Sequence, residues 1–196
     1  MKNALLASTV VLALAQAASA QDGLYFGLGL AVTDNSTTAT GFDIFEPSAR
    51  DFGLALTAGY RLASAGTLSF GVEGNLDLMS GKLMSDGNNA CASFAPTWCE
   101  VDVTARLRGT MSTELSGGSR LTSSLGAVVV RGRAEDGPGN FVSTIGRGLS
   151  LGVAWEQVGG GLPVRVDLNY DSVKTDNANN FDRSLDMVGL RVSYMF

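Results

Sequence analysis

From residue 24 onward the chain alternates. Over residues 24–32, Leu24, Phe26, Leu28, Leu30 and Val32 share one face, and Tyr25, Gly27, Gly29 and Ala31 share the other. Period two is the mark of a β-strand, whose successive side chains point to opposite faces. Further segments of this kind cover 52–61, 67–78, 100–111, 120–131, 148–157, 163–173 and 185–196, eight in all. The third is the clearest: Leu68, Phe70, Val72, Leu76 and Leu78 oppose Ser69, Gly71, Glu73, Asn75 and Asp77. The fifth is weaker, because Val128-Val129-Val130 blurs the alternation. The eighth sets Val188, Leu190, Val192, Tyr194 and Phe196 against Gly189, Arg191, Ser193 and Met195, so its apolar face ends in two aromatics.

Each segment has about the 9–11 residues that a tilted transmembrane strand needs. The connections alternate in length. Short ones fall at 62–66, 112–119 and 158–162, and long ones at 33–51, 79–99, 132–147 and 174–184. Short turns on one side and long loops on the other are the layout of an outer-membrane barrel. A soluble β-sandwich or a lipocalin-like barrel also alternates, but its outward face is polar. Here the polar face carries small residues and paired charges, which suit a narrow lumen. The fold expected is all-β: an eight-stranded antiparallel up-and-down transmembrane β-barrel after an N-terminal signal peptide.

The N-terminus fits export. Lys2 is a short positive region, residues 4–15 are apolar, and Ala18-Ser19-Ala20 is a small-residue cleavage site. Residues 1–20 are therefore expected to be a signal peptide and 21–196 the barrel domain. No later stretch approaches the ~20 apolar residues of a transmembrane helix. With 14 basic and 19 acidic residues the chain is acidic, at −5, which opposes nucleic-acid binding. It has no histidine, so the commonest general base and metal ligand is missing. Barrel-type deacylases, palmitoyl transferases and proteases all use one, and serines such as Ser143 and Ser150 have no base in sight. No enzyme activity and no cofactor are expected.

On these segments the chain resembles small outer-membrane barrels of the OmpA type and, more closely, the opacity-type porin family. The resemblance covers residues 21–196. It rests on Ala154-Trp155-Glu156, on Val166-Asp167-Leu168-Asn169-Tyr170 and on the run from Val188 to Phe196, which are similar to that family's last three strands. The resemblance implies that Tyr194 and Phe196 form a signal read by the barrel-insertion machinery. The sequence carries nothing after Phe196 like the peptidoglycan-binding domain of full-length OmpA proteins, so a wall-tethering role is not expected.

Alternation assigns the lumen. It receives Glu73, Asp77, Asp102, Glu156, Asp167 and Asp171 together with Arg61, Arg106, Arg108, Arg165 and Arg191. An eight-stranded barrel is just wide enough to be filled by side chains, and charges packed there must pair. A network of Glu73, Arg106, Arg108, Glu156, Arg165, Asp167 and Arg191 is expected, with cross-strand pairing at Glu73–Arg106, at Asp167–Arg191 or at both. Asp77, Asp102 and Asp171 should make the outer mouth acidic. The network is either a salt-bridged plug or a narrow ion path. Carboxylates beside arginines stay ionised and make poor catalytic acids.

Cys91 and Cys99 lie in the second long loop, next to Trp98, and a disulfide is expected between them. Zinc would need further ligands. The loops hold Asp34, Asp43, Glu46, Asp51, Glu135, Asp136, Asp176 and Asp182, and Asn/Asp/Gly runs at 85–89 and 175–180 that read as solvated loops. Arg131, Arg133 and Arg147 flank the third loop, where they meet lipopolysaccharide phosphates or simply snorkel to the interface.

The sequence thus points to a non-enzymatic outer-membrane protein, envelope-structural or engaged in surface interaction through its loops. A small porin for ions or very small solutes is the alternative. Its expected partners are outer-membrane lipid, lipopolysaccharide and the insertion machinery. It names no surface ligand.

Overall fold

All eight alternating segments become strands: β1 (Leu24–Ala39), β2 (Ser48–Ala65), β3 (Leu68–Met79), β4 (Trp98–Leu115), β5 (Ser119–Glu135), β6 (Phe141–Gln157), β7 (Val164–Thr175) and β8 (Arg183–Met195). The computed structural model describes residues 23–39, 47–85, 98–135, 141–158, 162–175 and 183–196. The proposed signal peptide lies outside them. Each strand pairs antiparallel with its neighbours in sequence, and β8 returns to β1, closing the barrel. The closing seam sets Leu28 opposite Tyr194 and Leu30 opposite Val192. It ends in a reciprocal pair: Phe196 N–H donates to the Phe26 carbonyl at 2.8 Å, and Phe26 N–H donates to that of Phe196 at 3.4 Å. Closure leaves no edge to be solvated, the condition for strands to cross lipid.

The strands run further toward the long-loop end than the sequence segments did. β1 continues past Val32 to Ala39, and β5 and β6 reach Glu135 and Phe141. Backbone pairing persists there, but most outward residues turn polar, Ile145 on β6 excepted, so regular apolar alternation stops before the ladder does. At the opposite end the turns are tight. The β4–β5 turn needs left-handed backbone at Gly117 (φ 88°) and Gly118 (φ 72°), which glycine adopts without strain.

The distribution of polarity is inside out. Leu30, Leu107 and Leu149 stand outward with 65%, 63% and 66% of their surface exposed, while Glu73 and Asp171 are fully buried. Leu151, Val153, Leu168, Leu190 and Val192 extend the same apolar belt. Val128 and Val130 face in and Val129 faces out, which explains why the alternation there looked blurred. Tyr60, Phe70, Trp155, Tyr194 and Phe196 are exposed toward the turn end, and Phe52 and Tyr170 toward the loop end. Soluble proteins rarely expose so large an apolar surface. A hydrocarbon surround with aromatic girdles accounts for it.

Leu107 projects from the middle of β4 into this belt. Replacing it with arginine should cost about 2–4 kcal/mol in a bilayer. The check is urea unfolding of Leu107→Arg refolded into lipid vesicles. An unchanged midpoint would mean that this strand face does not meet lipid.

Candidate functional site

The inward face of a strand offers one side chain every second residue, and shear brings side chains from distant strands to one level. In this lumen they form stacked tiers. At the turn end, Arg120 of β5 lies 3.5 Å from Glu156 of β6 and 3.2 Å from Glu114, and Arg61 lies 3.7 Å from Glu156.

The middle tier centres on Glu73. Its carboxylate accepts from Arg108 at 2.9 Å, from Arg165 at 2.6 Å, from Asn75 at 3.1 Å and from the Tyr25 hydroxyl at 2.9 Å. Arg165 also binds Asp167 at 2.7 Å, and Arg108 donates to Asn169. Arg108 needs room, and Gly152 of β6 supplies it: a Cβ there would sit 2.4 Å from the Arg108 guanidinium. Gly59 does the same for the Tyr25 ring, 2.1 Å from where its Cβ would be.

Above this, Arg106 and Arg191 share Asp77. Arg106 pairs with Asp77 and forks onto Asp171, at 2.6 Å and 2.9 Å. Arg191 donates to Asp77 at 2.9 Å, to the Leu56 carbonyl at 2.9 Å and to Thr57 at 3.1 Å. These side chains are desolvated, and bidentate arginine–carboxylate geometry suits such a setting.

Toward the loop end the lumen turns apolar. Ala49, Met84, Trp98, Val101, Val128, Val130, Val173, Leu185 and Met187 form one buried cluster. Trp98 is completely buried. Two irregularities bring it there. The β4–β5 register shifts between Trp98 and Glu100 and again between Val101 and Val103, so Val101 pairs with Gly132 and Trp98 with Ala134. Gly146 makes space for the indole: a Cβ there would lie 2.8 Å from the ring. Met84 comes from the segment after β3, which is tied down at several points. Asp51 accepts from the Ser80 hydroxyl and, at 3.0 Å, from the Lys82 N–H. Met84 N–H donates to the Cys99 carbonyl at 2.8 Å, and Ser85 bridges to Ser48.

The geometry differs from the sequence expectations at definite points. Glu73 sits opposite Arg108, not Arg106. Asp167 and Arg191 are register partners, but their side chains part: Asp167 goes to Arg165 and Arg191 crosses to Asp77. The expected acidic outer mouth is absent among the described residues. Asp77 and Asp171 are buried beneath the apolar cluster and bound to arginines. Asp102 falls in the second register shift, where strict alternation fails, and is only half-buried. Asp51, read as a loop acid, is a buried staple. Asp34 is a strand residue paired with Arg50 at 2.8 Å.

Sequence reasoning missed Arg120, Tyr25, Met84 and Trp98. Arg120 and Tyr25 obeyed the inward parity of their segments. Met84 and Trp98 had no periodic signal, since a bulge and a folded-back segment place them. Cys99 is buried at the start of β4, while Cys91 lies outside the described residues, as do Asp43, Glu46, Asp136, Asp176 and Asp182. Among the described residues no group of carboxylates and cysteines is arranged to hold a metal ion.

No family model and no curated protein matches the chain. Solved structures do. The attachment invasion locus protein Ail of Yersinia pestis is 15% identical, with 90% of this chain and 100% of that one covered at a TM-score of 0.50. Ail in complex with the heparin analogue sucrose octasulfate is 16% identical at the same coverage and TM-score, 0.50. Neisserial surface protein A is 18% identical over 89% of this chain and 98% of that one, with a TM-score of 0.44. At these identities the likeness is one of fold: the chain folds as a small outer-membrane-type barrel.

Removing one partner from the upper tier should be costly. Arg106→Ala leaves Asp77 short of a partner and Asp171 without its guanidinium, and an uncompensated buried charge costs about 3–5 kcal/mol. Urea titration in vesicles should show the loss. Asp171→Asn in the Arg106→Ala background should recover part of it, and no recovery would argue against the pairing.

Proposed function

We propose that this chain is a non-enzymatic protein of the Gram-negative outer membrane whose barrel is a rigid, sealed support for its loops, in an envelope-structural or surface-interaction role. The observation that carries the reading is the filling of the lumen. Two features close it in series: a tiered arginine–carboxylate network, and above it a dry cluster around Trp98 and Met84. A hydrated ion would have to break charge pairs and then enter an apolar layer, and each step opposes conduction. The likeness to Ail, by name an attachment and invasion protein, supports a surface role at the level of fold. A bridge between Cys91 and Cys99 belongs to the same proposal, with roughly 2–3 kcal/mol of loop stabilisation.

Planar-bilayer recording tests the reading. The wild-type protein should show no steady conductance steps. Trp98→Ala combined with Met84→Ala removes the apolar seal but keeps the charge lattice, and should raise brief openings without a stable open level. A large, stable, cation-selective conductance in the wild type would replace this reading with the small-porin alternative.

Assembly gives a second test. Tyr194 and Phe196 stack edge to face, with ring centres 5.0 Å apart, at the end of the strand that closes the barrel. We expect Phe196→Ala to lower outer-membrane yield in cells while the protein is still exported and still refolds in vesicles. Equal yield in cells would remove the insertion-signal role from this residue.

A further inference from the structure

We propose that a groove on the outward face of β8, β1 and β2, at the loop end, binds a neutral oligosaccharide. This rests on the reading that the barrel spans the outer membrane with its long loops outermost. Two register rows form the groove. In one, Asp186 of β8, Ser36 of β1, Ser48 of β2 and Ser85 of the segment after β3 stand side by side. In the other, one step toward the turns, Tyr170 of β7 is followed by Val188, Asp34 and Arg50. The serines are short, so their row is a trough beside a taller row. The groove encloses about 600 Å³, and Lys82 adds to its lining. One step further toward the turns, Leu190, Val32 and Phe52 make an apolar row, so on this side the groove lies directly above hydrocarbon. Strand spacing makes the row from Asp186 to Ser85 about 14 Å long, which calls for a chain rather than a single ring.

The lining sets the chemistry of that chain. It holds two acids, Asp34 and Asp186, and two bases, Arg50 and Lys82, so its charges balance. Carboxylates only accept hydrogen bonds, an ammonium only donates, and serine hydroxyls do both. The matching partner is uncharged and offers donors and acceptors along its whole length. A sugar chain does so, because each hydroxyl is both. A sulfated or sialylated chain would set its anions against Asp186, which has no cationic partner among the described residues. A peptide bound by its backbone would need a free sheet edge, and the closed barrel has none. The polar groups are already held in place. Arg50 forks onto Asp34 at 2.8 Å and 3.0 Å, and the Tyr170 hydroxyl donates to Asp186 at 2.9 Å. Groups fixed beforehand cost less to order on binding. The exposed Tyr170 ring and Val188 give the C–H face of a pyranose an apolar surface to lie on.

The experiment probes the full chain, refolded in phosphatidylcholine nanodiscs, with an array of neutral, sialylated and sulfated oligosaccharides. In a second arm, urea unfolding is followed in phosphatidylcholine vesicles holding a neutral diglycosyl diacylglycerol or the same lipid without its sugars. The variants are Asp186→Asn, Ser36→Leu/Ser48→Leu, which fills the trough, and Arg133→Gln, on β5 away from the groove. The expected result is retention of neutral glycans, a higher unfolding midpoint with the sugar-bearing lipid, or both. A signal from the array places the sugar on a glycan presented from outside, and one from the vesicles alone places it on a lipid of the same membrane. Either signal should fall about tenfold in Asp186→Asn, the loss of one charge-assisted hydrogen bond, vanish in Ser36→Leu/Ser48→Leu and persist in Arg133→Gln. If either groove variant does not fold, Lys82→Gln, outside the strands, replaces it. Absence of both signals in the wild type, binding of sulfated or sialylated chains alone, or equal binding by the groove variants overturns the proposal. A barrel that inserts and stays sealed but ignores neutral sugars defeats this inference alone. One that inserts into no bilayer defeats the membrane reading and this one with it.

Discussion

Charge neutralisation inside a space that water barely enters is the constraint on which this barrel depends. Eight strands enclose a lumen one side chain deep. The outward positions must be apolar to meet lipid, so polar and charged residues are left to the inner face. Once there they lose hydration, and each needs partners at contact distance. The lattice meets that demand by sharing. Glu73 takes two arginines, an amide and a phenol; Asp77 takes two arginines. The contacts of Glu73 with Arg165 and Tyr25 and of Asp77 with Arg191 join β3 to β7, β1 and β8, so the lattice braces the barrel across its diameter as well as around its wall.

Sharing needs room, and the room is made by omission. Gly152 lies where any side chain would strike the Arg108 guanidinium, and Gly146 where one would strike the Trp98 ring. Both glycines are on β6, so that strand is the low wall against which two of the largest inward side chains lie. A change at Gly152 would thus act through Arg108 and, behind it, through Glu73. The composition of β6 and the geometry of the charge lattice are one design, though they are far apart along the chain.

The sequence made the strand count, the pairing order and the inward set legible, because alternation is a local signal and a closed antiparallel meander leaves few topologies. Parity placed Glu73, Arg106, Arg108, Glu156, Arg165, Asp167 and Arg191 on the inner face correctly. It could not choose partners among them. Arginine reaches about as far as the lumen is wide, so depth and shear decide whether Arg191 meets its register neighbour Asp167 or crosses to Asp77. Nor could parity survive the register shifts in β4. There one extra residue flips the face, sends Val101 inward and takes Asp102 out of the lining. The apolar seal was invisible for the same reason, since Trp98 and Met84 owe their positions to irregular backbone.

The two closures have different consequences. A salt-bridged lattice alone can rearrange, because arginine forks can exchange carboxylates with little net change in pairing and let an ion pass during the exchange. An apolar layer has no such exchange available: an ion within it loses hydration and gains no ligand. Its position at the loop end separates the lattice from the medium beyond. The segment carrying Met84 is fastened to Asp51, Cys99 and Ser48 by backbone and side-chain hydrogen bonds, so the seal is built into the wall. Opening it would require breaking several of these bonds together and exposing Trp98. On the sealed reading proposed above, the protein's contacts with its surroundings are left to the outside of the barrel.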